Sequence, residues 1–524
     1  LTVTKRNIFR IVLVAAALAY FGWGRFHSKT EAVPHKIMAP IASNAKEFTL
    51  GSLSFKACEL AQKRSGATTA AYCAPFQVAE NPDDATSRKI DLNLALVMAE
   101  AEAADADIVV FLAGGPGQAA VENWPAVAPA LAPLRKHHHI LLLDQRGTGH
   151  SNALTCARKA EGDKDEEDKA GDERADSTTA LEGLRRKTRE CLTQVQQHAD
   201  PRQYTTTVAV HDLEAVRQAL GAPQFDLVGV SYGTRMAQQY LMRHPDGVRS
   251  VVLDSVAPNE LALGEDFADN LESALKAQFS LCTSTPSCAK VFADPYASLI
   301  RLRDALRAKP QGYDFRDPIT FAPTHRRLDD YALAGLVRLF AYTPETAALL
   351  PLSIAEGLKG NYTPLAGQSE LLTGDLSELR DNGMQTSVIC AEDADLLTPR
   401  PQDKDTVLGT MLIDVIRAQC EIWPRGTRPA DFHAALKSDK PILILEGELD
   451  PVTPPKYGEQ VLKGLTNARL LIAKGQGHNV IGRGCIPKIV EDFVNYLAPK
   501  DLDVACADAL GPTPAFIDFN GSSP

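Results

Sequence analysis

Six short apolar runs in this chain each end in a loop of glycine and polar residues, and that recurrence constrains the fold more than any other feature. The runs open "DIVVFLAGGPGQAA", "HHHILLLDQRGTGHS", "FDLVGVSYG", "VRSVVLDSVAP", "KPILILEGELDPVTP" and "ARLLIAKGQGHNV". An unbroken apolar run lacks the alternation of a half-exposed strand, so both its faces must be covered, as in a parallel sheet lined by helices. Helical patterns such as "VAVHDLEAVRQALG" and "RMAQQYLMRHP" lie between the runs. The alternation predicts an α/β domain with a mostly parallel sheet. Ahead of it, "EFTLGSLSFKACEL" and "IDLNLALVMAEAEA" read as further strands.

Two segments break the pattern. Residues 158–187, "RKAEGDKDEEDKAGDERADSTTALEGLRRK", are nearly all polar and read as a solvated loop or exposed helix. Residues 259–385 carry helical patterns such as "ADNLESALKAQFSL" and "RLDDYALAGLVRLFAY" but no apolar strand run. They read as a helical insertion over the sheet, dividing the α/β core into residues 40–258 and 386–510.

Residues 1–26 stand apart. Lys5, Arg6 and Arg10 precede an uncharged run from Ile11 to Gly24. That run is short for a spanning helix, which needs ~20 residues, and suits the apolar region of a signal peptide. Ala17-Leu18-Ala19 offers a small-x-small cleavage site. An uncleaved anchor is the competing reading, since Tyr20, Phe21 and Trp23 continue the apolar character; a buried N-terminal helix is disfavoured by the basic residues. Either favoured reading exports the body to the periplasm or the exterior. The ten cysteines agree, falling as close neighbours: Cys58 with Cys73, Cys156 with Cys191, Cys282 with Cys288, Cys390 with Cys420, and Cys485 with Cys506. Neighbour pairing is the simplest proposal, although spacing leaves connectivity open. No pair has C-x-x-C spacing, which argues against zinc. A net charge of −11 argues against a nucleic-acid partner.

The chemistry begins at Gly229-Val230-Ser231-Tyr232-Gly233. A serine on a tight strand-to-helix turn, with glycines where side chains would collide, has its hydroxyl pushed into the open. Such a serine needs a base, and the base an orienting acid, in the chain order Ser, Asp or Glu, His. Asp450 ends "PILILEGELD" and His478 follows "LLIAKGQGH", so Ser231, Asp450 and His478 form the expected triad. The oxyanion donors should be the N–H groups of Tyr232 and of Gly115 in the loop "AGGPG". Three consecutive histidines, His137 to His139, suggest a metal site, but neighbours in extended chain face opposite ways, and the run reads instead as an exposed lead-in to a strand. Asp144 and Arg146 read as support for the site.

With these motifs in view, the chain resembles a known family. "GGPG" (114–117), "DQRGTGHS" (144–151), "GVSYGTR" (229–235), "GELDPVTP" (447–454) and "GQGH" (475–478) look like those of the α/β-hydrolase peptidases, the proline iminopeptidase and tripeptidyl aminopeptidase group. The resemblance spans most of residues 50–506. It implies an α/β-hydrolase fold with a helical cap, and cleavage of short peptides from a free N-terminus with no cofactor. In the family, carboxylates near the cap junction bind the substrate amine, which points to Glu392 and Asp393 in "SVICAEDADLL"; Glu446 and Glu448 are further candidates. Ala113 departs from the family, standing where many members carry histidine. Two rivals are a carboxylesterase on the same fold and a non-catalytic binding protein.

Overall fold

The structure, a computed structural model, describes residues 46–61, 66, 68–101, 108–156, 177–316, 321, 323–369 and 383–522. Residues 1–26 and residues 158–176 of the charged stretch lie outside the described residues; the remainder of that stretch opens the helix Ser177–Val195.

The strands are β1 Glu47–Leu50, β2 Leu53–Ala61, β3 Thr68–Ala79, β4 Lys89–Val97, β5 Ile108–Leu112, β6 His139–Leu143, β7 Phe225–Val230, β8 Val248–Asp254, β9 Gln311–Arg316, β10 Pro323–Leu328, β11 Ile442–Gly447 and β12 Ala468–Ala473. Ten of them form one sheet in the order β1-β2-β3-β4-β6-β5-β7-β8-β11-β12. From β6 to β12 every pairing is parallel, and from β1 to β6 every pairing is antiparallel. All six apolar runs are strands of the parallel half. The sequence reading did not name β3. Its segment "TTAAYCAPFQVA" is alanine-rich with Pro75 inside, and a proline that cannot donate to a ladder weakens the strand signal.

Each apolar run feeds both faces of the sheet. Val109 and Phe111 of β5 join Val228, Val252, Leu443 and Leu445 beneath the helices Ala120–Arg135 and Ile486–Tyr496. Ile108, Val110 and Leu112 join Leu227, Leu253 and Ile444 beneath the helices Thr206–Leu220 and Tyr232–Arg243. This two-sided burial is why the runs show no polar alternation.

In the inserted segment, the helices Phe267–Ser284, Pro295–Ala308, Asp330–Phe340 and Leu350–Leu358 enclose an apolar cluster of their own around Leu271, Leu299, Val337 and Ile354. Contrary to the expectation of a helical insertion, the segment is not wholly helical. β9 and β10 pair antiparallel as a two-stranded sheet. Their sequences, "QGYDFR" and "PTHRRL", lack the apolar runs that mark the buried strands.

The histidine run is also corrected. His137 is exposed, but His138 and His139 are buried. His138 Nε2 lies 2.8 Å from Asn495 Oδ1, and His139 Nδ1 accepts the N–H of Ala99. Burial first, and the adjacent His138 second, lower the pKa of His139 to about 4. The apolar run begins one residue earlier than its hydrophobic letters suggest, so His139 enters the sheet as a neutral acceptor. Among the described residues no cluster could hold a metal ion, and no helix is long and apolar enough to cross a membrane.

The structure closes the connectivity that spacing left open, and each cysteine bonds its neighbour. Cys58 is bonded to Cys73, which ties β2 to β3, and Cys156 is bonded to Cys191 of the helix Ser177–Val195. Within the insertion Cys282 is bonded to Cys288, and near the C-terminal end Cys485 is bonded to Cys506. The fifth bridge, Cys390 to Cys420, joins the helix Gly383–Glu392 to the helix Met411–Cys420. Cα separations run from 5.1 to 6.3 Å. Five disulfides fit an oxidising compartment. Replacing Cys390 and Cys420 by serine is expected to lower the unfolding free energy by about 3 kcal/mol, the scale for closing a loop of this size. A denaturant midpoint equal to that of the wild type would contradict this.

Candidate active site

The site is built at the ends of β7, β8, β11 and β12. β7 delivers Ser231 at φ 55° and ψ −122°, a backbone conformation that non-glycine residues rarely adopt. Both flanking glycines are sterically required. A Cβ on Gly233 would stand 2.1 Å from the carbonyl oxygen of Leu112, and one on Gly229 would stand 2.5 Å from the carbonyl oxygen of Gly233. The turn therefore presses against the end of β5 and points the serine away from the core.

The loop after β11 carries Asp450 and the loop after β12 carries His478. His478 Nε2 lies 3.0 Å from Ser231 Oγ, and His478 Nδ1 lies 2.7 Å from Asp450 Oδ2. Asp450 is fixed in turn by the N–H groups of Val452 and Thr453 at 2.7 and 2.8 Å, and by the Thr453 hydroxyl. Burial raises the pKa of Asp450, but the nearby His478, its hydrogen bond and those two amides outweigh burial and hold it below the usual value. A charged, oriented acid behind a histidine that reaches a serine hydroxyl can run nucleophilic acyl transfer.

Of the two expected oxyanion donors, Tyr232 directly follows the serine and Gly115 lies in a loop that approaches it through Gly114. Tyr232 opens the helix Tyr232–Arg243, so its N–H is among the first four of a helix and has no partner within it. The 114–117 loop lies alongside: a Cβ on Gly114 would come within 3.2 Å of the Ser231 Cβ, and Gly115 has φ 109°. Asp144 holds this neighbourhood together by accepting the N–H of Val121, the Asn93 amide and the N–H of His150. Arg146 makes a two-pronged pair with Asp212 at 2.6 and 2.7 Å and is fully buried.

Glu392 and Asp393 both have zero exposure. Glu392 accepts the N–H of Thr206 at 2.5 Å and the Thr206 hydroxyl at 2.9 Å, and that hydroxyl lies 2.6 Å from the Tyr232 hydroxyl. Asp393 pairs with Arg235, one turn into the helix that follows Ser231. Asp393 thus holds the nucleophile helix directly, and Glu392 reaches it through Thr206. Glu446 accepts the N–H of Val256, and Glu448 accepts that of Gly475.

Sequence reasoning missed the contacts from the insertion. The carbonyl oxygen of Tyr342 accepts the N–H of His478 at 2.7 Å, and the two rings pack edge to face at 5.1 Å. Gly477 has no room for a side chain because that same carbonyl would be 2.2 Å from its Cβ. Asn270 donates to the carbonyl of Val452 in the acid loop at 2.9 Å. No motif in residues 259–385 announced these partners, since a carbonyl carries no sequence signature.

Glu392 gives the site a pH signature. Burial, then the neighbouring Asp393, raise its pKa from 4.5 to about 8. A raised folded-state pKa favours the fold fully below the unfolded value, and that contribution is lost as pH rises through the folded value. Thermal stability is therefore expected to decline as pH rises from 4.5 through about 8, and Glu392→Gln should remove that component. Parallel melting profiles for the two proteins across this range would contradict it.

Comparison with known proteins agrees with this geometry. The chain is 25% identical over 447 residues to the serine protease Hip1 of Mycobacterium tuberculosis, covering 76% of this chain and 81% of the relative. It is 25% identical over 442 residues to the tripeptidyl aminopeptidase of Streptomyces lividans, covering 78% of each. It is also 25% identical over 416 residues to carboxylesterase B of M. tuberculosis, covering 72% of this chain and 76% of the relative. A family model described as alpha/beta hydrolase fold matches residues 107–483, well over half the chain. With the strand order and the strand-end serine, histidine and aspartate, that match makes this chain a member of the α/β-hydrolase family.

Proposed function

We propose that this serine hydrolase is an exported aminopeptidase, releasing one or a few residues from the free N-terminus of short peptides. The observation that carries the reading is the seating of the insertion on the triad. Tyr342 bonds the base loop and Asn270 bonds the acid loop, so the segment overhangs the reacting groups. A nucleophile beneath such a cover is suited to the end of a short chain rather than the middle of a folded one. The relatives named serine protease and tripeptidyl aminopeptidase support a peptide substrate. The five disulfides support export to the periplasm or exterior; in this reading residues 1–26 serve either as a cleaved signal peptide or as the one point of membrane attachment.

In this reading Ser231 Oγ attacks the scissile carbonyl while His478 Nε2 takes its proton. Asp450 holds the imidazole and stabilises its charged form. The N–H groups of Tyr232 and Gly115 receive the developing oxyanion. The tetrahedral intermediate collapses, the C–N bond breaks, and His478 returns the proton to the leaving amine. Water, deprotonated by His478, then releases the acyl group from Ser231. No step calls for a cofactor. Glu392 and Asp393 are the proposed partners of the substrate amine; for an amine to reach Glu392, Thr206 must give up its bond to that carboxylate.

A carboxylesterase is the second reading. It is favoured by the internal engagement of both carboxylates and by the relative named carboxylesterase B. A non-catalytic binding protein is disfavoured by a formed Ser231–His478–Asp450 relay at 3.0 and 2.7 Å.

The test is turnover of free-amine aminoacyl, dipeptidyl and tripeptidyl amides, their N-acetylated partners, and short-chain esters. The expected result is cleavage of free-amine amides alone, with Ser231→Ala lowering kcat by roughly 10⁵- to 10⁶-fold. Ester turnover indifferent to N-acetylation would make the protein a carboxylesterase.

A further inference from the structure

The buried acid at the end of β8 has no part in the chemistry above, yet it bonds both the amide of the nucleophile and the loop of the base. β8 lies between β7, which carries the nucleophile, and β11, which leads to Asp450; Asp254 stands opposite Val230 on one side and Leu445 on the other. Its main-chain oxygen accepts the N–H of Ser231 at 2.9 Å. Its two carboxylate oxygens accept the N–H groups of Val480 and Ile481 at 2.9 and 3.0 Å. The next residue, Ser255, uses its hydroxyl to accept the N–H of Asn479 at 2.8 Å, and its own N–H bonds to Leu445. Ser255 and Asn479 both adopt positive φ, at 58° and 68°. The three amides that follow His478 are therefore all captured by two side chains at one strand end. The same strand end holds the amide of the nucleophile.

We propose that Asp254, assisted by Ser255, is a positioning residue that sets the distance between Ser231 and His478. The assignment rests on those two residues acting as nucleophile and base. The contacts close a ring: Ser231 to Asp254 through the backbone, Asp254 to residues 480 and 481, the loop back to His478, and His478 Nε2 to Ser231 Oγ. Two inward N–H donors require two acceptors. An ionised carboxylate offers both, whereas a protonated acid or an asparagine turns one of its groups into a donor facing a donor. The requirement explains why a fully buried position holds an aspartate, whose charge is costly there. Burial raises its pKa from 3.8 to about 6, against the pull of the two amides. The titratable groups facing it are Glu446 of β11, Asp450 and His478. As pH falls through this value Asp254 gains a proton and loses an acceptor, so the loop of the base should loosen.

The test uses the full chain and the rate at which a fluorophosphonate labels Ser231, which reads the nucleophile and base whatever the natural substrate. Asp254→Asn is expected to label roughly 10- to 100-fold slower at pH 8, the scale for a displacement of ~1 Å. The acid limb of the wild-type profile should fall more steeply than that of Asp254→Asn, which lacks the titrating carboxylate. Ser255→Ala, which removes the Asn479 acceptor alone, should slow labelling several-fold with the wild-type slope. A folded Asp254→Asn protein with the wild-type rate or slope would overturn the proposal. Should that variant fail to fold, a wild-type rate in Ser255→Ala would overturn it. Failure of the wild type to label at all would overturn instead the reading of Ser231 as nucleophile.

Discussion

Everything at this site follows from one close approach. The turn at Ser231 can press against the end of β5 only because Gly233 lacks a side chain and can close on itself only because Gly229 lacks one, and the serine within it sits at positive φ. Holding a residue in a sparsely populated conformation costs about 1–3 kcal/mol, offset by the surrounding packing. The result is a hydroxyl that stands clear of its strand while its own amide is bonded to the neighbouring one. Three parallel pairings, β7 with β8, β8 with β11 and β11 with β12, then bring the acid, the base and the nucleophile to a common edge from positions up to 247 residues apart in sequence. The sheet supplies proximity; the loops at its ends supply orientation.

Behind that edge lies a set of buried carboxylates with separate tasks. Asp450 is surrounded by donors and held charged, which suits an acid that must stabilise an imidazolium. Glu392 has one hydroxyl and one amide partner and a like-charged neighbour, and its pKa rises to about 8. Glu446 is raised well above its ordinary value by burial first and then by Asp450. Neutral acids next to a charged one avoid the repulsion of several buried carboxylates ionised together. What sets Asp450 apart is His478, whose charge and hydrogen bond join two amides to outweigh burial, whereas two amides alone leave Asp254 raised.

The fold was legible because a parallel strand must be apolar on both faces, and six runs met that condition. The triad was legible because strand ends are where such a sheet presents side chains, which located Ser231, Asp450 and His478 together. Asp254 occupies a strand end of the same kind in "VRSVVLDSVAP" and could have been found by the same rule. Other features had no signal to read. Tyr342 acts through a carbonyl, which any residue carries. The strand Thr68–Ala79 contains a proline, and the hairpin inside the insertion is polar. Glu392 and Asp393 were singled out by type and place in the chain, but neither reveals whether a carboxylate faces substrate or protein. The structure engages both of them internally.

The central claim is that Ser231 becomes acylated by the N-terminal portion of a peptide. Acid quenching during turnover of a short free-amine peptide, followed by digestion and mass spectrometry of the fragment containing Ser231, tests it directly. The account predicts an adduct on Ser231 equal in mass to the N-terminal residue or residues, which also counts how many are released. An unmodified Ser231 under steady turnover, or an adduct derived from the C-terminal portion, would contradict it.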